Sequence, residues 1–276
     1  MNEKISATQR LVESALLIAM GVVLSLIKII DLPYGGSVTI ASMFPVMLIS
    51  YRHGLGYGLI SATVYGGIQQ LLGLKALSWV SSWQSVLAVI LLDYIVAFAV
   101  IGLGGLFRGK FIKKNDDQVY ELLAGGAMVC LLRYICHVIS GATVWAGLSI
   151  PTRGAIVYSL AYNATYMIPE TLVLCIVIYF VGSALDFRFK TPVRLARTTK
   201  NKVPVLELIS IAVITAALIF DIVLIFSKTQ NADTGNWYLT GLDQVNWVLL
   251  IIVTAAAIAV AVTLMIIARR KGKELK

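Results

Sequence analysis

Five side chains stand where an apolar chain has little room for them: Asp93, Arg133, His137, Asn163 and Glu170 all fall inside long hydrophobic stretches. If those stretches cross a bilayer, an ionised side chain at mid-depth costs about 2.5–3.5 kcal/mol on insertion scales, so each one retained asks for a compensating role. At a helical rise of ~1.5 Å per residue, Asp93 lies about 13 Å from the outer end of its helix, His137 about 6 Å, Tyr158 about 8 Å and Asn163 about 15 Å. With Trp145 in an adjoining outer loop, these groups share the outer half of the membrane. One carboxylate, one imidazole, one amide and several aromatic rings suit a flat cationic ligand. A cation over an aromatic face gains about 0.5–2 kcal/mol, the carboxylate supplies the countercharge, and hydrogen bonds to ring nitrogens add selectivity.

Each of these residues also has a plain packing explanation. Arg133 could neutralise Asp93, or pair with Glu170 at a similar depth on the next helix; the second pairing is read as structural. His137, four residues after Arg133 and on its face, could serve only to bond two helices. Trp145 and Trp83 sit where interfacial tryptophans are expected in any case. Tyr158, Tyr162 and Tyr166 form a ridge at i, i+4, i+8, a pattern typical of packing. Asn163 lies about 140° round the helix from Tyr158, so a regular helix does not aim both at one point.

The elements that must position these groups are bilayer spans. The 276 residues are 59% apolar and only 13% charged, whereas soluble domains are usually near 45–50% apolar with roughly a quarter charged. Apolar runs near the spanning length of ~18–20 residues place spans at 9–30, 38–51, 54–72, 84–107, 119–141, 153–182, 204–227 and 245–268. The second is short, so either it tilts or the first loop, with Pro33, Gly35, Gly36 and Pro45, dips into the membrane. With the N-terminus inside, eighteen Lys and Arg fall in cytoplasmic segments and four outside, a bias that fits an even number of spans and two cytoplasmic termini. The first run is too long for a secretory signal and lacks a small-residue cleavage pattern. The basic stretch from Ala184 to Val203 is the best internal boundary, and no internal repeat suggests an inverted-repeat transporter.

The net charge of +9 follows from this topology, since the cations flank apolar spans and do not alternate with stacking aromatics; no nucleic-acid partner is expected. Cys130, Cys136 and Cys175 read as buried small hydrophobes, with neither disulfide framework nor zinc spacing. Only two histidines are present, so there is no His-Glu-x-x-His metal helix. A Gly-x-x-x-x-Gly-Lys-Ser/Thr phosphate loop is absent too. No metal, cofactor or catalytic residue is expected, and a membrane enzyme acting on lipid is a remote reading.

Taken together, Leu91-Leu92-Asp93-Tyr94-Ile95-Val96-Ala97-Phe98, Arg133-Tyr134 with His137, Gly141 and Trp145, and Tyr158-Ser159-Leu160-Ala161-Tyr162-Asn163 resemble the thiamine-specific substrate-binding components of energy-coupling factor importers. The loop Leu32-Pro33-Tyr34-Gly35-Gly36-Ser37 and Met43-Phe44-Pro45 look similar as well. The resemblance covers residues 1–185. It implies an all-α, polytopic membrane bundle with a six-helix thiamine-binding domain over 1–185, followed by a basic cytoplasmic linker over 186–203 and a two-helix transmembrane extension over 204–276 that lies outside the family pattern.

By position, the resemblance implies that Trp145 stacks on a ring of the vitamin. His137, Tyr158 and Asn163 orient it, and Asp93 with Tyr94 serves its cationic and amino groups. The acid is Glu in some relatives, so the shorter Asp leaves open which ring it faces. Ala15 and Ala19 resemble an Ala-x-x-x-Ala face for docking a partner, since small residues one turn apart allow close helix approach. The first loop lacks a tryptophan for a second aromatic wall, with Tyr34 as substitute. The implied protein is not an enzyme but a high-affinity thiamine-capturing subunit in the cell membrane. Its partners would be a transmembrane coupling protein, two cytoplasmic ATPases and the surrounding lipid. Alternatives are a different flat vitamin or a thiamine precursor as ligand, or a stand-alone ion-coupled transporter.

Overall fold

The structure, a computed structural model, describes residues 5–32, 35–110, 118–146, 148, 152–195, 205–229 and 239–274. Tyr34, Trp237 and Tyr238, and residues 196–203 of the expected linker, lie outside the described residues. The chain divides into two compact units, Met1–Leu195 and Ala196–Lys276.

In the first unit α1 (Ala7–Leu26) starts at Ser6, whose hydroxyl accepts from the Gln9 N–H at 3.1 Å, a side-chain cap for one of the helix's orphan donors. Its C-terminal end runs into a hairpin, β1 (Lys28–Asp31) and β2 (Ser37–Thr39), paired antiparallel with Lys28 opposite Thr39 and Asp31 opposite Ser37. Then follow α2 (Met43–His53), α3 (Leu55–Leu72), a 3₁₀ turn over Leu74–Trp79, the composite helix α4 (Trp83–Leu103), α5 (Gln118–Thr143) and α6 (Ala155–Ala184). A short hairpin of β3 (Leu185–Asp186) and β4 (Val193–Arg194) closes the unit. The second unit holds α7 (Val205–Thr229) and α8 (Trp247–Glu274), where Thr254 donates to Asp221 at 2.5 Å.

Among the described residues, five helices are long and apolar enough to cross a membrane: α1, α4, α5, α6 and Trp247–Ile267 of α8. The protein is a multi-pass membrane bundle, and among the described residues the only strands are those of two small hairpins. The short second span is explained by burial. With 11 residues α2 reaches only about 16 Å, and all of Met43–Arg52 is buried, so α2 is a core element wrapped by its neighbours. Val46, Met47, Tyr51, Tyr65, Ile101, Leu122, Leu174 and Ile178, each wholly buried, form the core around it.

At the end of the bundle where α1 and α5 begin and α6 finishes, polar groups bind the helices together. The buried Glu121 accepts from the Tyr51 hydroxyl at 2.7 Å and the Gly109 N–H at 2.8 Å. Arg52 holds Glu13 of α1 with two nitrogens and donates to the carbonyls of Phe187, Phe189 and Lys190. Residues 185–195 therefore fold back onto the first unit. The residues expected to form a linker begin as a structured hairpin.

Helices α3 and α4 meet backbone to backbone. A Cβ on Gly102 would stand 2.5 Å from both the Gly58 carbonyl carbon and the Leu59 nitrogen, and backbone cannot step aside as a side chain can. Gly102→Ala is expected to destabilise the bundle by about 1–3 kcal/mol, as overpacking typically does. A lowered midpoint of thermal unfolding in detergent would show it; an unchanged midpoint would contradict this helix contact.

Candidate functional site

Asp93 and Tyr94 sit in the middle of a π-helical stretch, Val89–Val96, inside α4. The regular helix assumed from hydropathy is thus interrupted at the residues that matter most, as π turns frequently are at functional sites. The wider turn presents Asp93 to α5, where its carboxylate collects three donors. His137 Nδ1 lies 3.1 Å from Oδ1, while Ser140 Oγ at 2.7 Å and Trp145 Nε1 at 2.9 Å reach Oδ2. A carboxylate is acceptor-only, so His137 uses Nδ1–H as donor and turns Nε2 the other way. That Nε2 is buried with no hydrogen-bond partner.

These residues line a cavity of about 690 Å³ at the end of the bundle opposite Arg52, within the size range of small-molecule sites. Its walls come from the C-terminal end of α1, the β1–β2 hairpin, α3, the 3₁₀ turn, α4, α5 and α6. Of the expected residues, Asp93, Tyr94, His137, Trp145 and Asn163 line it. Tyr94 also stacks on Phe98 at 6.3 Å and reaches the Gly73 carbonyl at 3.4 Å. Tyr158 is not among the lining residues; it packs with Ala76, Val80, Val89 and Trp145 in a separate apolar cluster behind the indole. The angular conflict noted between Tyr158 and Asn163 is settled by α6 itself, which turns Asn163 inward and leaves Tyr158 on another face.

Asn163 spends its amide on the protein. Its nitrogen donates to Ser159 and to the His137 carbonyl at 3.2 Å, and its oxygen accepts from the Tyr166 hydroxyl at 2.5 Å. It therefore fixes Tyr166, whose ring meets His137 edge-on at 6.0 Å. The second aromatic wall sought in the first loop is supplied elsewhere, by Trp79, Tyr162 and Tyr166. Trp79 packs edge-to-face on Trp145 at 6.1 Å. Its signal in the sequence was the apolar set Ala76, Trp79 and Val80 at a one-turn spacing; Trp83, read as an interfacial residue, is 71% exposed.

Arg133 and Glu170 do not pair: no nitrogen–oxygen contact of 4.0 Å or less joins them or joins Arg133 to Asp93. Arg133 lies over the Phe98 ring at 4.3 Å, with Nη1 2.9 Å from the Met43 sulfur and a buried Nε without a partner. Glu170 binds Thr39 instead. Both line the cavity, so residues read as a structural pair belong to the site. Ala15 and Ala19 lie exposed on α1 and do not line the cavity; exposed Leu11, Val12 and Leu16 are on the same helix. No cluster of three or more His, Cys, Asp or Glu able to hold a metal occurs among the described residues.

The family model described as thiamine transporter protein (Thia_YuaJ) matches residues 11–189. The thiamine transporter ThiT of Bacillus subtilis (strain 168) is 34% identical over 198 residues, which covers 69% of this chain and 95% of that protein. A solved structure of ThiT from Listeria monocytogenes is 20% identical with a TM-score of 0.48, covering 63% of this chain and 94% of that one.

Removing the Asp93 carboxylate strands three buried donors at once. Asp93→Ala is expected to lower stability by about 1–3 kcal/mol, the usual cost of unmade buried hydrogen bonds, with Ser140→Ala less affected. Equal unfolding midpoints for Asp93→Ala and wild type would show that the carboxylate is not the organiser of this wall.

Proposed function

The chain belongs to the thiamine transporter protein (Thia_YuaJ) family, and from that membership we propose that it is the thiamine-capturing subunit of an energy-coupling factor importer. Its role is transport, and catalysis has no part in it. The observation that carries the reading is the charge and shape of the cavity. Its lining carries Lys28, Asp31 and Lys75, all exposed, and away from the surface the half-buried Asp93 with the buried Glu170 and Arg133; the three inner groups sum to a single negative charge when ionised with His137 neutral. That balance suits a monocation, and the aromatic rings around it suit a flat one.

Within this reading Trp145, held by its indole N–H on Asp93 and backed by Trp79, offers a ring face for stacking. His137, oriented by Asp93, has an Nε2 with no partner in the protein, an acceptor left for an amino group of the ligand. Asp93 acts at short range as countercharge and as the group that sets both His137 and Trp145. Asn163 works through Tyr166, and Tyr158 through its packing in the cluster that backs the indole. Arg133, with donors to spare, can take an acceptor atom of the ligand.

Energy for uptake comes, in this proposal, from a transmembrane coupling protein and two cytoplasmic ATPases. The first of these docks on the small-residue face at Ala15 and Ala19. The cavity opens to the outside, and both termini are cytoplasmic, in keeping with the distribution of Lys and Arg. The six-helix part carries binding, and the last two helices stand apart from the matched region.

Titration of the purified protein with thiamine is expected to quench tryptophan fluorescence saturably, with the quenching lost in Trp145→Ala. Asp93→Asn should weaken binding by about tenfold or more, about 1.4 kcal/mol. Unchanged emission of the wild type at micromolar thiamine would sink the assignment. Competition by riboflavin or the isolated aminopyrimidine that matched thiamine would redirect it to another ligand.

A further inference from the structure

We propose that Glu170 is a positioning residue that pins the β1–β2 hairpin to α6 as a wall of the cavity, and thereby sets how long the ligand stays bound; this rests on the reading of the cavity as a thiamine site. Glu170 is 3% exposed and 131 positions from its partner in sequence. Its two oxygens take two different donors of one residue: the Thr39 N–H reaches Oε2 at 2.6 Å and the Thr39 hydroxyl reaches Oε1 at 2.7 Å. An ionised carboxylate accepts from both; a glutamine would keep one oxygen for the N–H and turn its NH₂ to the hydroxyl, which would then accept from it and donate to Ser42 Oγ 2.9 Å away, so both bonds would lose their charge. Burying a charge in a bilayer is costly, and a residue meant only to fill space there would be apolar.

What the pin holds is a wall. Lys28, Asp31, Leu32, Gly36, Ser37 and Thr39, all on the hairpin, face the cavity. The hairpin has a further seat on the same helix: a Cβ on Gly36 would fall 2.7 Å from the Tyr166 ring and 3.2 Å from the Tyr162 hydroxyl, so its backbone rests directly on two aromatic walls of the site. Ile30 and Leu32 pack against the core from the same strand region. Thr39 also organises the start of α2, since the Ser42 N–H donates to its hydroxyl oxygen at 3.3 Å. Thr39 is thus the joint between hairpin and bundle, and Glu170 is the group that holds the joint.

Loss of the pin leaves Asp93, His137 and Trp145 in place, because those bonds run between α4, α5 and the loop after α5. The encounter and the first contacts of the ligand are therefore retained. The wall at the mouth is loosened, which acts on escape, the usual seat of affinity differences among variants of one site.

The test has two readouts. In ligand-free protein, amide hydrogen exchange of residues 35–40 should quicken in Glu170→Gln and in Thr39→Val while α5 exchanges as in wild type. In stopped-flow experiments, thiamine dissociation should quicken by about tenfold or more in each variant, the factor lost with one hydrogen bond to a charged group, with the association rate unchanged in Thr39→Val, which leaves the charge of the cavity as it is. Thr39→Ser, which keeps the hydroxyl, should restore both readouts. The double variant should dissociate no faster than Glu170→Gln alone, since both remove one interaction. Unaltered exchange at residues 35–40, an unaltered dissociation rate, or additive effects in the double variant would overturn the proposal, the last by showing that Glu170 acts on the ligand directly. Should Glu170→Gln fail to fold, Thr39→Val carries the same test from the other side. A wild type that binds no thiamine would sink the assignment of the ligand, while the exchange experiment would still decide the pin.

Discussion

A carboxylate inside a hydrocarbon layer survives only if donors surround it, and the placement of Asp93 governs much of the rest of this molecule. Its three donors come from His137 and Ser140 on α5 and from Trp145 in the loop that follows. Satisfying one acid therefore fixes the tautomer of the imidazole, the height of the indole and the approach of α4 to α5. The π-helical turn in α4 brings the acid to that point. Aromatic packing then follows outward, from Trp145 to Trp79 on one side and from His137 to Tyr166 and Tyr162 on the other.

The bundle treats its two ends differently. Near the start of α1 and the end of α6, Glu121 and Arg52 are saturated with protein partners, and Arg108 donates to the carbonyls of Tyr51 and Arg52. At the other end, His137 Nε2 and Arg133 Nε are buried without partners, and both residues line one cavity. Arg10 Nε and His53 Nδ1 are unpaired near Arg52 as well; what sets His137 and Arg133 apart is that their residues line a cavity, where a ligand can pair an orphaned group that otherwise costs about 1–3 kcal/mol.

The spans around α1, α4, α5 and α6, the inward turn of Asp93 and His137, and the special standing of Trp145 were legible in the sequence. Each is a large local signal: a long apolar run, or an ionisable residue inside one. Less legible was Trp79, because a tryptophan in a short polar-flanked segment has the same local signature whether it lies at an interface or backs a cavity. Tyr162 and Tyr166 looked like packing, and they do pack, yet the face they present is also the wall of the site. For Arg133 and Glu170 a similar depth does not make a pair; Phe98 and Thr39 intervene as better-placed partners. Ser140 carried no signal at all, since a serine one turn from His137 is unremarkable until the acid it bonds is in place.

Composition and hydropathy period settled that this is a multi-pass helical bundle, because transfer into a bilayer is a sum over residues and can be read without knowing neighbours. The acid, imidazole and indole of the site were recognisable for the same reason, as costly or conspicuous residues in a run that excludes them. Which of them touch, which nitrogen of His137 is left bare, and which tyrosines face inward depended on a π turn and on helix crossings. Those rest on contacts between residues 44 to 131 positions apart, whose geometry no local pattern contains.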